Sequence, residues 1–235
     1  MINKELLKEY AQSFGVSLDE TALENFDKYA GLLVETNRVM NLTAITEPDE
    51  IVIKHFVDSL AFLNYVPLED GATVIDVGTG AGFPGVPLLI AKSDIKLTLL
   101  DSLSKRLGFL DEVINSCNLS AQLIHARAED AGKEAELRET FDYATARAVA
   151  PLNVLAEYCL PFVKVGGYFI ALKGSEDETQ SSKNAVSLLG GEIEENVSYK
   201  LPNGDPRSIV IIKKISQTPT QYPRKPKKIA SSPLE

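Results

Sequence analysis

Two rhythms divide the chain. Over residues 3–13 and 19–39 apolar side chains recur at helical spacing: Leu6, Leu7 and Tyr10, then Leu23, Phe26, Tyr29, Leu32 and Leu33. This spacing predicts two amphipathic helices. Asn41-Leu-Thr-Ala-Ile-Thr46 interrupts the pattern, and a third helix is expected over 48–65, carrying Ile51, His55, Phe56, Leu60 and Leu63. Pro67 and the acidic Leu68-Glu-Asp-Gly71 close this all-helical region. About 65 residues bury little surface alone, so the region is expected to pack on the remainder of the chain.

From residue 72 short β-rich apolar runs appear at 72–77, 95–100, 121–125, 142–146 and 165–172. Helical segments are expected between most of them, at 85–92, 103–117, 131–138 and 151–162. Such alternation implies a parallel sheet with helices on both faces. Two last runs, 191–199 and 207–214, flank the turn-rich Leu201-Pro-Asn-Gly-Asp-Pro206, which predicts an antiparallel hairpin at the sheet edge. Residues 216–235 are rich in Pro, Ser and Lys and are expected to be semi-ordered. The expected organisation is a helical region (1–70), an α/β domain (71–215) and a basic tail (216–235).

At 235 residues and 44% hydrophobic content the chain can bury a full-sized core. It contains no apolar run of about 18 residues, so no membrane span is expected. The opening MINKELLKEY has no signal-peptide character, and Cys117 and Cys159 belong to no disulfide or metal motif, so a cytoplasmic setting is expected. With only two histidines, His55 and His125, no metal site is expected. No oligomerisation helix stands out, and a monomer is expected. The net charge of −9 argues against a general nucleic-acid coat protein. Its distribution is uneven: residues 1–60 carry 5 Lys/Arg against 11 Asp/Glu, and residues 200–235 carry 8 against 2.

The candidate chemistry centres on DVGTGAGFPGVPLLI, residues 76–90. Gly80-x-Gly82-x-x-Gly85 matches the dinucleotide fingerprint, with Asp101 placed to meet a ribose. Counted from Asp76, the same stretch is an acid followed by Gly78-x-Gly80-x-Gly82, which resembles the loop that holds S-adenosylmethionine in methyltransferases. The glycines serve either ligand, since both need a tight turn and close backbone approach. Asp76 separates the two readings. A pyrophosphate there meets a like charge, whereas S-adenosylmethionine carries a cationic sulfonium and ammonium. The remaining alternative for Asp76 is that it caps the turn. Asp101 ends the second strand and can accept ribose hydroxyls, or cap a helix. The third strand runs into His125-Ala-Arg-Ala-Glu-Asp130, with Ala128 and Glu129 placed to read an adenine edge, and the fourth ends in Ala146-Arg147-Ala148-Val149. Four strand ends thus bring polar groups to one crevice, where open α/β sheets bind ligands.

DVGTGAGFPGVPL, LLDSLSKRLGFL, HARAED, ARAVAPL, the KHFVDSL helix behind NLTAI, and TPTQYPRK together resemble the bacterial small-subunit rRNA guanine-N7 methyltransferase family, RsmG (also called GidB), from about Asn41 to Lys225. The resemblance implies a Rossmann-like methyltransferase fold with a mostly parallel seven-stranded sheet and an N-terminal helical extension. It implies methyl transfer from S-adenosylmethionine to N7 of one guanine in the 16S rRNA loop near the decoding site, on the 30S particle. Beside Asp76, already read as a cofactor residue from its charge, it puts Gly78, Gly80, Gly82 and Phe83 around the cofactor, Asp101 on the ribose, and Ala128 and Glu129 at the adenine. It puts Arg147 between cofactor and RNA, as the residue that holds the nucleotide for reaction. Lys105, Arg106, Lys173, Arg207 and Arg224 form the implied RNA face. After Tyr222-Pro-Arg-Lys225 the chain departs from the family pattern by going directly to Pro-Lys-Lys.

Each candidate has a structural alternative. Lys105 and Arg106 near a helix N-terminus oppose its dipole, which a phosphate would offset, or they form a solvated pair. Arg147 can serve RNA or an internal salt bridge. His55 fits a hydrogen-bonded packing role better than a catalytic one, Asp58 and Ser59 can bind backbone, and the cysteines fit the core. Two rivals remain from other classes: a catalytically silent RNA-binding assembly factor on the same fold, and an NAD-dependent oxidoreductase.

Overall fold

Seven strands form close to where the apolar runs predict them: β1 (Thr73–Val77), β2 (Lys96–Asp101), β3 (Ala121–His125), β4 (Phe141–Arg147), β5 (Val163–Lys173), β6 (Gly191–Lys200) and β7 (Pro206–Lys214). In the computed structural model, which describes residues 1–66, 68–147 and 150–235, they make one sheet in the order β3-β2-β1-β4-β5-β7-β6. The first five strands run parallel, while β7 is antiparallel to both β5 and β6. The sheet therefore ends in the expected edge hairpin. Pro67, and Ala148 and Val149 of the ARAVAPL stretch, lie outside the described residues.

Alternation along the central strands sends successive side chains to opposite faces. Val74, Leu97 and Leu99 join one apolar cluster, and Ile75, Val77 and Leu100 join the other. The first cluster also takes Leu7 from α1 (Lys4–Ser13), and Phe26, Tyr29 and Leu33 from α2 (Glu20–Met40). The Asn3 and Asp19 side chains cap these two helices at Leu6 N (3.0 Å) and Ala22 N (2.7 Å). Asn41 ends α2 in the left-handed region (φ +50°). The same face receives α5 (Gly85–Ala91) and α6 (Ser104–Ser116), and the second cluster receives α8 (Leu152–Cys159) and α9 (Thr179–Leu188).

The helix expected over 48–65 is α3 (Pro48–Ile51) and α4 (Asp58–Tyr65) with a π-helical stretch, Val52–Val57, between them. The wider turn buries His55, Phe56 and Val57 and opens a run of eight buried residues that continues through Phe62. Sequence periodicity cannot show this, because an apolar stripe looks the same on either turn.

Three segments differ from expectation. The helix expected at 131–138 is instead α7 (Ala128–Ala131), followed by turns. Arg138 closes this stretch by donating to the Gly132 carbonyl at 2.9 Å. Helix α9 has no counterpart in the sequence pattern, because Ser- and Asn-rich TQSSKNAVSL offers only a short apolar stripe around Ala185 and Val186. The tail, expected to be semi-ordered, is docked. Arg138 donates to the carbonyls of Thr218 (2.6 Å) and Tyr222 (2.9 Å), and α10 (Pro226–Ser231) buries Ile229. Lys214 is fully buried against Leu160 O (2.7 Å) and Glu139 (3.1 Å); burial pushes its ammonium down to about 8.

Candidate functional site

The carboxyl ends of β1, β2 and β3 open onto a cavity of about 200 Å³ beside the point where strand order reverses between β1 and β4. Its walls combine Val77, Leu100, Leu155 and Tyr158 with two buried carboxylates, Asp101 and Glu129. Asp101 Oδ2 accepts from Gly80 N and Oδ1 accepts from Leu103 N, both at 2.9 Å. These bonds tie the glycine loop to β2 and point the carboxylate at the cavity, with lone pairs left for a diol. Asp101 caps no backbone N–H inside α6: its backbone bond there comes from Leu103, the residue before the helix, and its contact within α6 is the Arg106 side chain at 3.4 Å. Glu129 lies at the start of α7, with Arg127 Nη1 at 3.8 Å. Arg127, Leu155 and Tyr158 are lining residues that sequence reading missed. Leu155 and Tyr158 sit three apart on α8, which looks identical to core spacing.

The loop above β1 is shaped by close contacts. Gly82 has φ +102°, and a Cβ there would lie 2.7 Å from the Tyr29 hydroxyl. A Cβ on Gly85 would lie 2.8 Å from Asp76 Oδ2. That oxygen accepts from Thr79 Oγ1 (2.7 Å) and Gly85 N (3.0 Å), so Asp76 does brace the turn. Its other oxygen, Oδ1, is buried without a hydrogen-bond partner among the described residues. Burial pushes the carboxyl up to about 6. A braced acid with one free oxygen under a glycine loop, next to a cavity with two carboxylates, suits a cationic nucleoside ligand. S-Adenosylmethionine fits that donor set.

Phe83 and Arg147, like Asp76, Gly80 and Gly82, are not among the residues that line this cavity. The Phe83 ring stacks on His55 (4.4 Å between centroids, 17°) and on Tyr29 (5.4 Å, 25°), with the Arg147 guanidinium 4.7 Å from its centroid. Arg147 donates to Lys54 O, Asp58 Oδ2 and His55 Nδ1, each at 3.2 Å. An arginine donor on Nδ1 leaves the imidazole proton on Nε2, which faces Thr43 Oγ1 at 2.9 Å. Burial, reinforced by Arg147, lowers the His55 pKa to about 3, so the ring is neutral. Thr43 is itself pinned to Asn37 by two 2.9 Å bonds, which explains why NLTAI and KHFVDSL act together.

Asp58, expected to bind backbone, is instead a junction. It meets Arg147 at 3.2 Å, Arg207 Nε at 3.3 Å and the Tyr199 hydroxyl at 3.2 Å. It thereby joins α4 to β4, β6 and β7. No local pattern announces contacts between residues so far apart in sequence. Ser59 does bind backbone, at His55 O.

The five basic candidates do not form one free face. Lys105 is exposed with no ion-pair partner among the described residues, and Arg106 reaches Asp101 at 3.4 Å. Lys173 binds Ala150 O (2.9 Å) and Glu178 (2.8 Å). Arg207 is shared with Asp58. Arg224 is committed inward: its Nε and Nη2 grip the fully buried Glu157 at 2.6–3.1 Å, because a buried carboxylate requires a partner. Cys117 and Cys159 are buried, and burial raises both thiols. Among the described residues, no cluster of His, Cys, Asp and Glu could hold a metal ion, and no helix is long and apolar enough to cross a membrane.

Comparison with known proteins places this geometry in context. Residues 22–206 match the family model described as rRNA small subunit methyltransferase G. The Ribosomal RNA small subunit methyltransferase G of Alkaliphilus metalliredigens is 49% identical over 239 residues, covering 100% of both chains. That of Thermoanaerobacter sp. strain X514 is 53% identical, covering 98% of each chain. Among solved structures, a methyltransferase from Pyrococcus furiosus aligns with a TM-score of 0.56 at 17% identity, covering 79% of this chain and 95% of its own. TYW2 from M. jannaschii, solved in complex with AdoMet, aligns with a TM-score of 0.51 at 16% identity, covering 63% and 72%. Identities this low carry the fold alone.

Proposed function

The chain belongs to the rRNA small subunit methyltransferase G family, and from that premise we propose that it methylates N7 of a guanine in 16S rRNA held within the 30S particle. The observation that carries the choice of atom is chemical. Among the described residues where β4 meets the π-helical turn, Arg147 is cationic, His55 is held neutral by a pKa of about 3 and Asp58 is bound by two arginines, while the buried Asp76, raised to about 6, is occupied in bracing the glycine loop. Guanine N7 has an in-plane lone pair and no proton to lose, so its methylation needs no base. An exocyclic amine must shed a proton and fits this setting poorly.

When bound, S-adenosylmethionine supplies an electrophilic methyl on a sulfonium that departs as a neutral thioether. Asp101 and Glu129 would hold its nucleoside end, and Asp76, buried beneath the glycine loop, would shape the loop that receives it. Arg147 and Arg207 meet at the carboxylate of Asp58, with Asp205 3.9 Å from Arg207, and set two guanidiniums side by side for the RNA backbone. Lys105 adds an exposed cation, Arg106 and Lys173 add cations already paired to Asp101 and Glu178, and Arg224 is withdrawn by Glu157. The task of these residues is alignment. Bringing N7 and the methyl to about 3–3.5 Å lets orientation contribute about 7–11 kcal/mol.

Radiolabel transfer from methyl-labelled S-adenosylmethionine to 30S particles from a strain lacking the enzyme tests this reading. Label mapping to guanine N7 supports it. Label on an exocyclic amine overturns the atom assignment, and no transfer leaves the assembly-factor reading.

A further inference from the structure

Two polar atoms buried in the middle of the sheet have no hydrogen-bond partner among the described residues: Asp76 Oδ1 and Thr145 Oγ1. Both residues have 0% exposure. They are also neighbours, since Asp76 of β1 pairs with Thr145 of β4 in parallel register. In-register residues on adjacent strands face the same side, about 4.8 Å apart at the backbone. One group accepts and the other donates. A lone buried hydroxyl beside a lone buried carboxylate oxygen is costly for each. Packing alone would favour valine at 145, which has the same shape and higher strand preference.

We propose that Thr145 is a positioning residue for Asp76: its hydroxyl donates, through one internal water, to the carboxylate oxygen that Thr79 and Gly85 leave free. The two side chains make no direct hydrogen bond, and a single water spans groups on adjacent strands. A site with a carboxylate, a hydroxyl and the nearby Arg147 offers that water enough polar partners. The consequence lies in the loop. Asp76 Oδ2 fixes both Thr79 and Gly85, so the orientation of this carboxylate sets the shape of the glycine loop.

Ionisation of Asp76 depends on what faces it. Arg147 favours the anion, and Asp101 opposes it. Tyr29 and Cys159 lie close enough to interact, and burial keeps both protonated. Thr145 adds an uncharged donor on the side that the loop does not reach. Removing its hydroxyl makes the anion harder to form and leaves the loop less well braced. The proposal rests on the family's use of S-adenosylmethionine and is independent of which base is methylated.

The test compares Thr145→Val and Thr145→Ser with wild type by calorimetric titration of S-adenosylmethionine. The ratio of the Thr145→Val Kd to the wild-type Kd should be near one at about pH 8.5. It should climb toward tenfold at about pH 5.5, because each pK unit is a factor of ten. Thr145→Ser, which keeps the hydroxyl, should stay within about twofold at both ends of the same range. A second readout needs no cofactor: carboxyl-carbon NMR of the apo protein should show the Asp76 midpoint raised in Thr145→Val and unmoved in Thr145→Ser. Melting by circular dichroism then checks the fold. Thr145→Val should match wild type at acid pH and fall below it only once Asp76 ionises. A Kd ratio constant across pH, or an Asp76 midpoint unmoved by the loss of the hydroxyl, overturns the proposal whatever base the enzyme methylates.

Discussion

Asp76 is poorly solvated where it sits, and that has a measurable consequence. Its carboxyl is raised to about 6 by burial, above the ordinary aspartate value. A group whose folded pKa is raised contributes stability that is fully present below the unfolded pKa and lost as pH rises through the folded one. Above about pH 6 the apo protein therefore carries the cost of an ionised, fully buried carboxylate. Asp76→Asn should stabilise the apo protein at neutral pH by about 1–3 kcal/mol, with the gain vanishing below about pH 4. The same change should weaken S-adenosylmethionine binding, since the ligand loses its anion. Denaturation curves and calorimetry on one variant read both effects, and a neutral-pH loss of stability would show that the acid is structural. His55 gives a second residue-scale expectation. A ring kept neutral at about 3 is a poor base, so single-turnover transfer with saturating cofactor and 30S should be flat between about pH 7 and 9. His55→Gln should lower the rate through the packing of Phe83 and Arg147 without introducing a pH dependence. A rate limb near pH 7 that disappears in that variant would mean His55 takes a proton. Asp101 and Glu129 were legible in the sequence because each lies at or just beyond the end of a strand. The Asp58 junction was not, because its partners lie 89 and 141 residues away along the chain.

At the scale of elements, the alternation of apolar runs was enough to place the strands and most of the helices that separate them. Strands buried on both faces write themselves as continuous apolar runs, such as TVIDV and KLTLLD. Elements that buried only a short stripe were illegible, as α9 shows, and so was the ordering of the tail. Tail order comes from buried charge, with Arg224 on Glu157, Lys214 and Glu139 both on Thr218, and Arg138 on tail carbonyls. Composition reads those residues as a solvated basic end. Arg224→Ala leaves Glu157 buried and unpaired and should cost about 3–5 kcal/mol. Combining it with Glu157→Gln should recover part of that loss, the coupling expected of residues in contact. Urea midpoints measure the energies, and proteolysis within 216–235 should quicken in the single variant. Additive losses would mean that the pair does not hold the tail down.

The docked tail changes how the whole molecule meets RNA. Of the 8 Lys/Arg in residues 200–235, Arg207, Lys213, Lys214 and Arg224 are in ion pairs. The apparent basic end is therefore about half as available as composition suggests, on a chain of net charge −9. Affinity drawn from phosphates scales with the number neutralised, and salt dependence scales with it too. With only Lys105, Arg106, Lys173 and the shared pair Arg147 and Arg207 along the proposed rim, few phosphates are engaged. Recognition must then come from the shape of an assembled surface. Methylation should be fast on 30S particles and slow on protein-free 16S rRNA. Binding to 30S should weaken by no more than about 500-fold between 50 and 200 mM salt even if all five cations meet phosphates, against about 10³- to 10⁵-fold for a protein gripping six to ten phosphates. Lys105→Glu should reduce 30S binding while leaving S-adenosylmethionine affinity alone, because Lys105 is exposed and stands outside the cavity. Equal rates on naked rRNA and on 30S, with a steep salt dependence, would mean that charge rather than shape brings enzyme and RNA together.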